Sequence, residues 1–152
     1  QRMNTDLRDI YRETVLEHSR HPHNYRPLKD ASHEALGFNP LCGDKLRIYL
    51  NLNKDKIADI SFEGTGCAIA IASASMMTDA LDGCSTHEAN ARIKQVSSML
   101  AEGSNELEPE LSTLRALEGV RNYPSRIKCA TLAWSAAQAA LHGDAAEIST
   151  EE

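Results

Sequence analysis

Cysteine is the residue type with the most chemical potential in this chain, which contains Cys42, Cys67, Cys84 and Cys129. The first residues do not form the charged and then apolar pattern of an export signal, so we expect a cytoplasmic protein whose thiols stay reduced. A reduced thiol can act as a metal ligand or a sulfur nucleophile, or it can be a small buried apolar side chain. The number of cysteines does not decide between these interpretations.

Three of the cysteines fall where predicted secondary-structure elements begin or end. Cys42 lies in a loop before a predicted strand, Cys67 follows a glycine-rich turn, and Cys129 begins the last predicted helix. The amide donors and dipole of a helix N-terminus favour a thiolate, which we expect for Cys67 and Cys129. All three side chains can reach a common pocket at the end of the predicted sheet.

Asp44 supplies a fourth candidate ligand, two residues after Cys42. In an extended loop, residues i and i+2 point in the same direction, so Cys42 and Asp44 can bind one ion. Three thiolates and one carboxylate suit the tetrahedral coordination of zinc and its tolerance for sulfur and oxygen ligands. The chain has no C-x-x-C pair, so the spacing alone leaves the existence of a metal site open.

Cys84 and the loop histidines are weaker candidates. Cys84 precedes His87 by three residues, which resembles the spacing of metal ligands, but the neighbouring residues already explain the segment as a helix end followed by a helix cap. We therefore predict that Cys84 is not a ligand. His21 and His23 have no carboxylate or thiol beside them in the sequence and are predicted to be surface groups.

Hydrophobic periodicity predicts the elements that position these residues. Apolar residues at helical spacing, or alternating along strands, predict the following segments: helices over 5–18, 68–81, 85–100, 111–119 and 129–141, and strands over 33–38, 46–53 and 57–63. The helix over 68–81 has no polar face, so we place it in the interior. The predicted fold is one α+β domain over residues 3–142, with a small three-stranded antiparallel sheet packed with helices and a disordered acidic tail over 143–152.

Composition excludes several classes of protein. The chain has 152 residues, is 41% hydrophobic and 25% charged, and has a formal net charge of −6. An acidic chain without a basic tract is not expected to bind nucleic acid, because that affinity comes from neutralising phosphates. No apolar run reaches the length of a membrane span, so we expect no membrane association.

Three motifs together carry a resemblance to a known family. They are Asn39-Pro-Leu-Cys-Gly-Asp44, Gly64-Thr-Gly-Cys-Ala-Ile69 and Arg126-Ile-Lys-Cys-Ala-Thr-Leu-Ala-Trp134. From Tyr11 to Leu141 the chain resembles the iron–sulfur cluster assembly proteins of the NifU N-terminal/IscU type, and most closely their SufU branch. Lys128 stands where IscU-type scaffolds have a histidine, and residues 85–119 resemble the helical insertion of SufU proteins.

This resemblance implies a SufU/IscU-like fold and a zinc-dependent sulfurtransferase. By the same resemblance, zinc is held by Cys42, Asp44, Cys67 and Cys129. Cys42 then accepts persulfide sulfur from a PLP-dependent cysteine desulfurase of the SufS type, a histidine of which takes the place of Cys42 on the zinc. The sulfur is expected to pass to the downstream cluster-assembly machinery. Arg126 either hydrogen-bonds a carboxylate or thiolate of the site or is a solvated charge.

Two alternatives use the same side chains. In the first, the thiols hold a transient iron–sulfur cluster that the protein assembles and delivers as a scaffold. In the second, a closed zinc site only stabilises the fold of an adaptor.

Overall fold

The computed structural model describes residues 7–143 and 147–149. In chain order the elements are α1 (Leu7–Arg20), β1 (His33–Asn39), β2 (Asp44–Asn53), β3 (Lys56–Thr65), α2 (Ala68–Leu81), α3 (Thr86–Glu102), a 3-10 helix (Pro109–Asn122), α4 (Pro124–Leu141) and β4 (Glu147–Ser149). None of the helices among these residues is both long and apolar enough to cross a membrane.

The sheet has the strand order β3-β2-β1-β4. β2 pairs antiparallel with both of its neighbours, with Asp44 opposite Asn39 of β1 and Lys45 opposite Thr65 of β3. The end of β1, the start of β2 and the end of β3 therefore lie at one end of the sheet. The loops that carry Cys42 and Cys67 leave the sheet at that same end.

Helix α2 occupies the interior, as its composition predicts. Its alanine, serine and methionine side chains are largely buried, and it packs against α1, α4 and β3. Polar groups inside this contact are paired: Trp134 Nε1 donates to Ser73 Oγ at 2.9 Å, and Ser73 Oγ donates to the carbonyl of Ala130 at 2.6 Å. Small residues allow α2 and α4 to approach closely, while these two bonds fix how the helices face each other.

The predicted α+β class and the antiparallel pairing of the first three strands are confirmed. The start of α3 is confirmed as well, because Ser85 caps it in a reciprocal capping box with Glu88. The predicted stop at Gly119 is wrong: the segment is a 3-10 helix that continues to Asn122.

The boundary of the last helix also differs from the prediction. α4 begins at Pro124 rather than near Cys129, because proline is well tolerated in the first turn, where its missing N–H needs no partner. Cys129 thus lies in the second turn of α4.

A fourth strand stands within the tail that we predicted to be disordered. β4 pairs parallel with β1, with Gly37 opposite Ile148. The free edge of β1 presents unpaired N–H and C=O groups, and these can bind a short segment of low intrinsic strand propensity. The remainder of the predicted tail, residues 144–146 and 150–152, lies outside the described residues.

Candidate metal centre

Cys42, Asp44 and Cys129 converge at the end of the sheet. One ligand atom from each lies within 4.8 Å of those from the other two, and the two Sγ atoms of Cys42 and Cys129 are 3.3 Å apart. Cys129 arrives from α4, which packs across β1 and β2. Asp44 is the first residue of β2, and Cys42 comes from the loop just before it.

Asp44 is held rigidly although it is a charged residue at only 2% exposure. Its Oδ1 accepts a hydrogen bond from the backbone N–H of Cys67 at 2.8 Å, and its Oδ2 accepts one from Asn39 Nδ2 at 3.0 Å. A buried carboxylate requires such donors or a cation to offset the loss of its hydration. The orientation of the carboxylate is therefore fixed before any ligand arrives.

Gly66 makes the close approach of this turn possible. A Cβ atom at Gly66 would lie 2.7 Å from Asp44 Oδ1, closer than such atoms can approach without displacement. The absence of a side chain lets the backbone that precedes Cys67 pass directly over Asp44. This contact explains in physical terms why the second glycine of the Gly64-Thr-Gly66 turn has no side chain.

Cys67 stands beside the group of three as the N-cap residue of α2. Its thiol hydrogen-bonds Cys129, and its backbone N–H is the donor that holds Asp44. Cys67 thus contacts Asp44 and Cys129, but it is not one of the three residues whose ligand atoms all lie within 4.8 Å of one another. Cys42 and Cys67 are partly exposed, whereas Cys129 is buried.

The electrostatic state of Cys129 differs from our prediction. Burial, followed by hydrogen bonds that the thiol makes to Cys42, Asp44 and Cys67, raises the pKa of Cys129 far above its usual range. The expectation of a thiolate stabilised by a helix N-terminus is wrong, because Cys129 lies inside α4 and not at its start. Only a cation would make the thiolate the stable form at this position.

The donor set fits zinc. Sulfur and carboxylate oxygen are both accepted ligands of Zn²⁺, four of them satisfy its coordination, and the carboxylate already has the outer hydrogen bonds that orient a ligand. Asn39 Nδ2 lies 3.4 Å from Cys129 Sγ in addition to its bond with Asp44, so one amide braces two candidate ligands.

Asn39 is a site residue to which the sequence analysis gave no role. Its side chain is almost fully buried. The signal that could have found it is the register of the first hairpin, which pairs Asn39 directly with Asp44. A polar amide at the last position of a strand, opposite a candidate ligand, is well placed to orient that ligand.

The other candidates lie apart from the centre. Arg126 and Lys128 are exposed on α4, and Arg126 has no side-chain hydrogen bond with a described residue. Arg126 lines an apolar groove of about 620 Å³ between α1, the start of α2 and the 3-10 helix, together with Tyr11 and Tyr123. Cys84 is buried after the other end of α2, where its thiol donates to the carbonyl of Ala80.

Comparison with known proteins identifies the family. The sequence pattern described as NifU-like N terminal domain matches residues 10–145. A protein of Streptococcus pyogenes serotype M1 named iron–sulfur cluster assembly scaffold protein IscU is 42% identical over 135 residues, covering 89% of this chain and 84% of that protein. A protein of Bacillus subtilis (strain 168) named zinc-dependent sulfurtransferase SufU is 39% identical over 133 residues, covering 88% of this chain and 90% of that protein.

A solved structure agrees with these relatives. FiSufU from Fervidobacterium islandicum AW-1, described as an iron–sulfur cluster assembly scaffold protein for the SUF system, superposes with a TM-score of 0.80 at 31% identity. The match covers 90% of this chain and 99% of that one. The predicted kinship with IscU and SufU proteins is confirmed, and the chain belongs to the NifU-like N-terminal domain family.

Proposed function

We propose that this chain takes part in iron–sulfur cluster assembly as a zinc-dependent sulfurtransferase. Cys42 is the proposed acceptor of persulfide sulfur from a cysteine desulfurase of the SufS type. The observation that carries the proposal is the asymmetry of the centre: a partly exposed thiol on a loop stands 3.3 Å from a buried thiol and beside a clamped carboxylate. The relative named zinc-dependent sulfurtransferase SufU supports the same assignment.

Cys42, Asp44, Cys67 and Cys129 would hold the zinc. When bound, the ion would keep the cysteines in the thiolate form at neutral pH, which is the form that attacks sulfur. The protein contributes the arrangement: Asn39 and the backbone N–H of Cys67 orient Asp44, and burial in α4 fixes Cys129.

Cys42 is the thiol best placed to react. It lies on the loop between β1 and β2, followed by Gly43 at φ +74°, a conformation that glycine adopts without strain. The neighbouring Leu41 is 70% exposed, so an incoming group can approach the loop from solvent. Cys129 is buried, and Cys67 caps a helix whose position is fixed by packing.

The proposed transfer balances without any oxidant. The Cys42 thiolate attacks the outer sulfur of the donor persulfide, a new S–S bond forms on Cys42, and the S–S bond of the donor breaks. The donor cysteine leaves as a thiolate and takes up a proton from solvent. The sulfane sulfur keeps its oxidation state throughout, so the product on this chain is a Cys42 persulfide.

A scaffold for iron–sulfur clusters is the second candidate, favoured by the relative named IscU at 42% identity. In that function, the same side chains hold the cluster as cargo. Lys128, which precedes Cys129, is exposed and offers no imidazole ligand at this position. This absence favours sulfur transfer over cluster assembly.

The test is alanine production by a SufS-type desulfurase with this protein as the zinc-loaded full chain. We expect the wild type to accelerate turnover and to gain the mass of one sulfur atom on the peptide that contains Cys42. Cys42→Ala should do neither, whereas the matched control Cys84→Ala should behave as the wild type. Equal stimulation by Cys42→Ala would overturn the proposal, and anaerobic transfer of a reconstituted cluster to an apo-protein would then favour the scaffold.

A further inference from the structure

We propose that His18, His23 and Asp79 form a second cation site, which binds a divalent transition-metal ion through nitrogen and oxygen. One ligand atom of each residue lies within 4.8 Å of those of the other two. Among the described residues, this cluster and the thiol centre are the groups of three or more Cys, His, Asp or Glu with such mutual proximity. The proposal does not depend on the function proposed above.

Three different elements build the cluster. His18 belongs to the last turn of α1, His23 follows in the loop after it, and Asp79 comes from the C-terminal half of α2. The two imidazole rings are tilted at 46° with their centroids 4.5 Å apart, and His23 Nδ1 lies 2.6 Å from Asp79 Oδ2. Two histidines and one carboxylate are a common ligand set for zinc and for non-haem iron.

Ser75 holds the ring of His18 and the backbone of His23. This fully buried residue precedes Asp79 by one turn of α2. Its Oγ lies 2.7 Å from His18 Nδ1 and accepts the backbone N–H of His23 at 2.8 Å. Metal-bound histidines characteristically engage their second ring nitrogen in this way, which leaves Nε2 of His18 for the cation.

The loop that carries His23 is fixed independently. Asn24, at φ +57°, donates from Nδ2 to Thr78 Oγ1 at 2.9 Å, and the carbonyl of Asn24 accepts the N–H of Phe62. These bonds place His23 over α2 whether or not a cation is present. The site is therefore largely preformed, which lowers the conformational entropy lost on binding.

Space and exposure favour a cation that keeps bound water. The side chains of His23 and Asp79 are 49% and 47% exposed. A recess of about 220 Å³, lined by His18, Asp79 and Glu110, opens beside them. Three protein ligands with open positions characterise exchangeable sites rather than closed structural ones. His23 Nδ1 and Asp79 Oδ2 lie 2.6 Å apart, and a bound cation would take the place of the hydrogen bond between them.

The two sites are separated in space and in donor chemistry. Asp79 follows Cys67 by twelve residues in the same helix, which corresponds to about 18 Å at 1.5 Å per residue. The cluster has no sulfur, so it should prefer ions that favour imidazole and carboxylate and should bind them more weakly than the thiol centre. Zinc bound at the thiol centre therefore leaves the site of His18, His23 and Asp79 available for a second ion.

The experiment titrates Co²⁺ into the full chain after its thiol centre has been loaded with one equivalent of Zn²⁺. Cobalt bound by nitrogen and oxygen shows weak visible absorption without the thiolate-to-metal charge-transfer band of a cysteine site. We expect an additional equivalent of Co²⁺ with that spectrum, measured by equilibrium dialysis and absorption. We also expect the side-chain NMR resonances of His18 and His23 to broaden. A wild-type protein that binds no additional equivalent would overturn the proposal.

Variants distinguish a cation site from a hydrogen-bonded contact between α1 and α2. His23→Gln and Asp79→Asn should each remove the additional equivalent, and Ser75→Ala should weaken its binding by about 10–100-fold. His21→Gln, a change in the same loop outside the cluster, should bind as the wild type does. Far-UV circular dichroism and retained zinc at the thiol centre will show that the variants are folded. Retention of the additional equivalent by folded His23→Gln and Asp79→Asn would contradict the proposal.

Discussion

The two ends of helix α2 carry two different kinds of polar cluster. At its start, the cluster is sulfur-rich and mostly buried, and a clamped carboxylate belongs to it. Towards its end, the cluster is made of imidazole and carboxylate, half-exposed and linked by hydrogen bonds. Burial keeps the Cys129 thiol of the first cluster neutral in the absence of a cation, so cation binding there requires the loss of that proton, whereas the half-exposed groups of the second cluster are hydrated by solvent.

The largest effect is expected at Asp44. Asp44→Ala removes a proposed ligand and the carboxylate that accepts hydrogen bonds from Asn39 Nδ2 and from the N–H of Cys67. We expect zinc affinity to fall by more than about 100-fold, since loss of an outer-shell partner alone costs 10–100-fold. Competition with a chromogenic chelator measures this affinity. The control is Asp59→Ala, which removes a half-exposed ion pair with Arg26; if the control lost as much zinc, the special role of Asp44 would be refuted.

Asn39→Ala should have the next largest effect. The variant keeps all four candidate ligands but removes the amide that braces Asp44 and contacts Cys129. We expect zinc affinity to decrease by about 10–100-fold. The same competition assay applies, with Asn51→Ala, a change at an exposed amide that bonds the N–H of Ser32, as the control. Unchanged affinity in Asn39→Ala would mean that Asp44 is oriented by the backbone alone.

Gly66→Ala tests the close approach over Asp44. The added Cβ would meet Asp44 Oδ1 at 2.7 Å, whereas a Cβ at Gly119 has no atom within 4 Å. We expect Gly66→Ala to destabilise the fold by about 1–3 kcal/mol through overpacking and to weaken zinc binding. Gly119→Ala should change stability by less than about 1 kcal/mol. Urea denaturation of both zinc-loaded variants measures the difference, and equal stabilities would show that the turn can move aside.

The smallest effect is expected from His23→Gln in the absence of a second cation. Its side-chain contact with Asp79 is about half exposed, and such exposed polar pairs contribute about 0.2–1 kcal/mol. We expect urea denaturation to detect a loss within that range and zinc at the thiol centre to be retained. A loss above about 2 kcal/mol would mean that the histidine cluster is a structural element of the core.

Local sequence patterns predicted the helices and strands. The features that these patterns did not predict depend on contacts between residues distant in the sequence. The alternation of apolar residues in β2 and β3 and the uniformly apolar α2 are visible in the sequence because each reflects its own burial. His23 and Asp79 are 56 positions apart in the sequence, so the residues around either one do not predict the hydrogen bond between them. We predicted His23 to be a surface histidine without a partner; it is exposed, but it has a partner.

The sequence predicted the candidate centre, but it did not predict the state of Cys129 or the strand β4. Cys42, Asp44 and Cys67 lie at element ends, as predicted, whereas Cys129 lies inside α4 and was assigned to the site by resemblance. The state of Cys129 was predicted wrongly for two reasons: α4 begins five residues earlier than expected, so Cys129 is not at a helix N-terminus, and burial raises the pKa of its thiol. β4 could not be inferred from its own residues, because it forms only where the edge of β1 is available.

Because Asn39 is paired with Asp44, cation binding depends on the register of the first hairpin. Strand side chains alternate between the two faces, so a slip of one residue in the first hairpin would turn Asp44 away from Cys129 and separate it from its amide partner. Chains with such a slip would lack the complete donor set. Tight zinc uptake should therefore select correctly aligned molecules, and the zinc content of a preparation should report the fraction of hairpins in the native alignment.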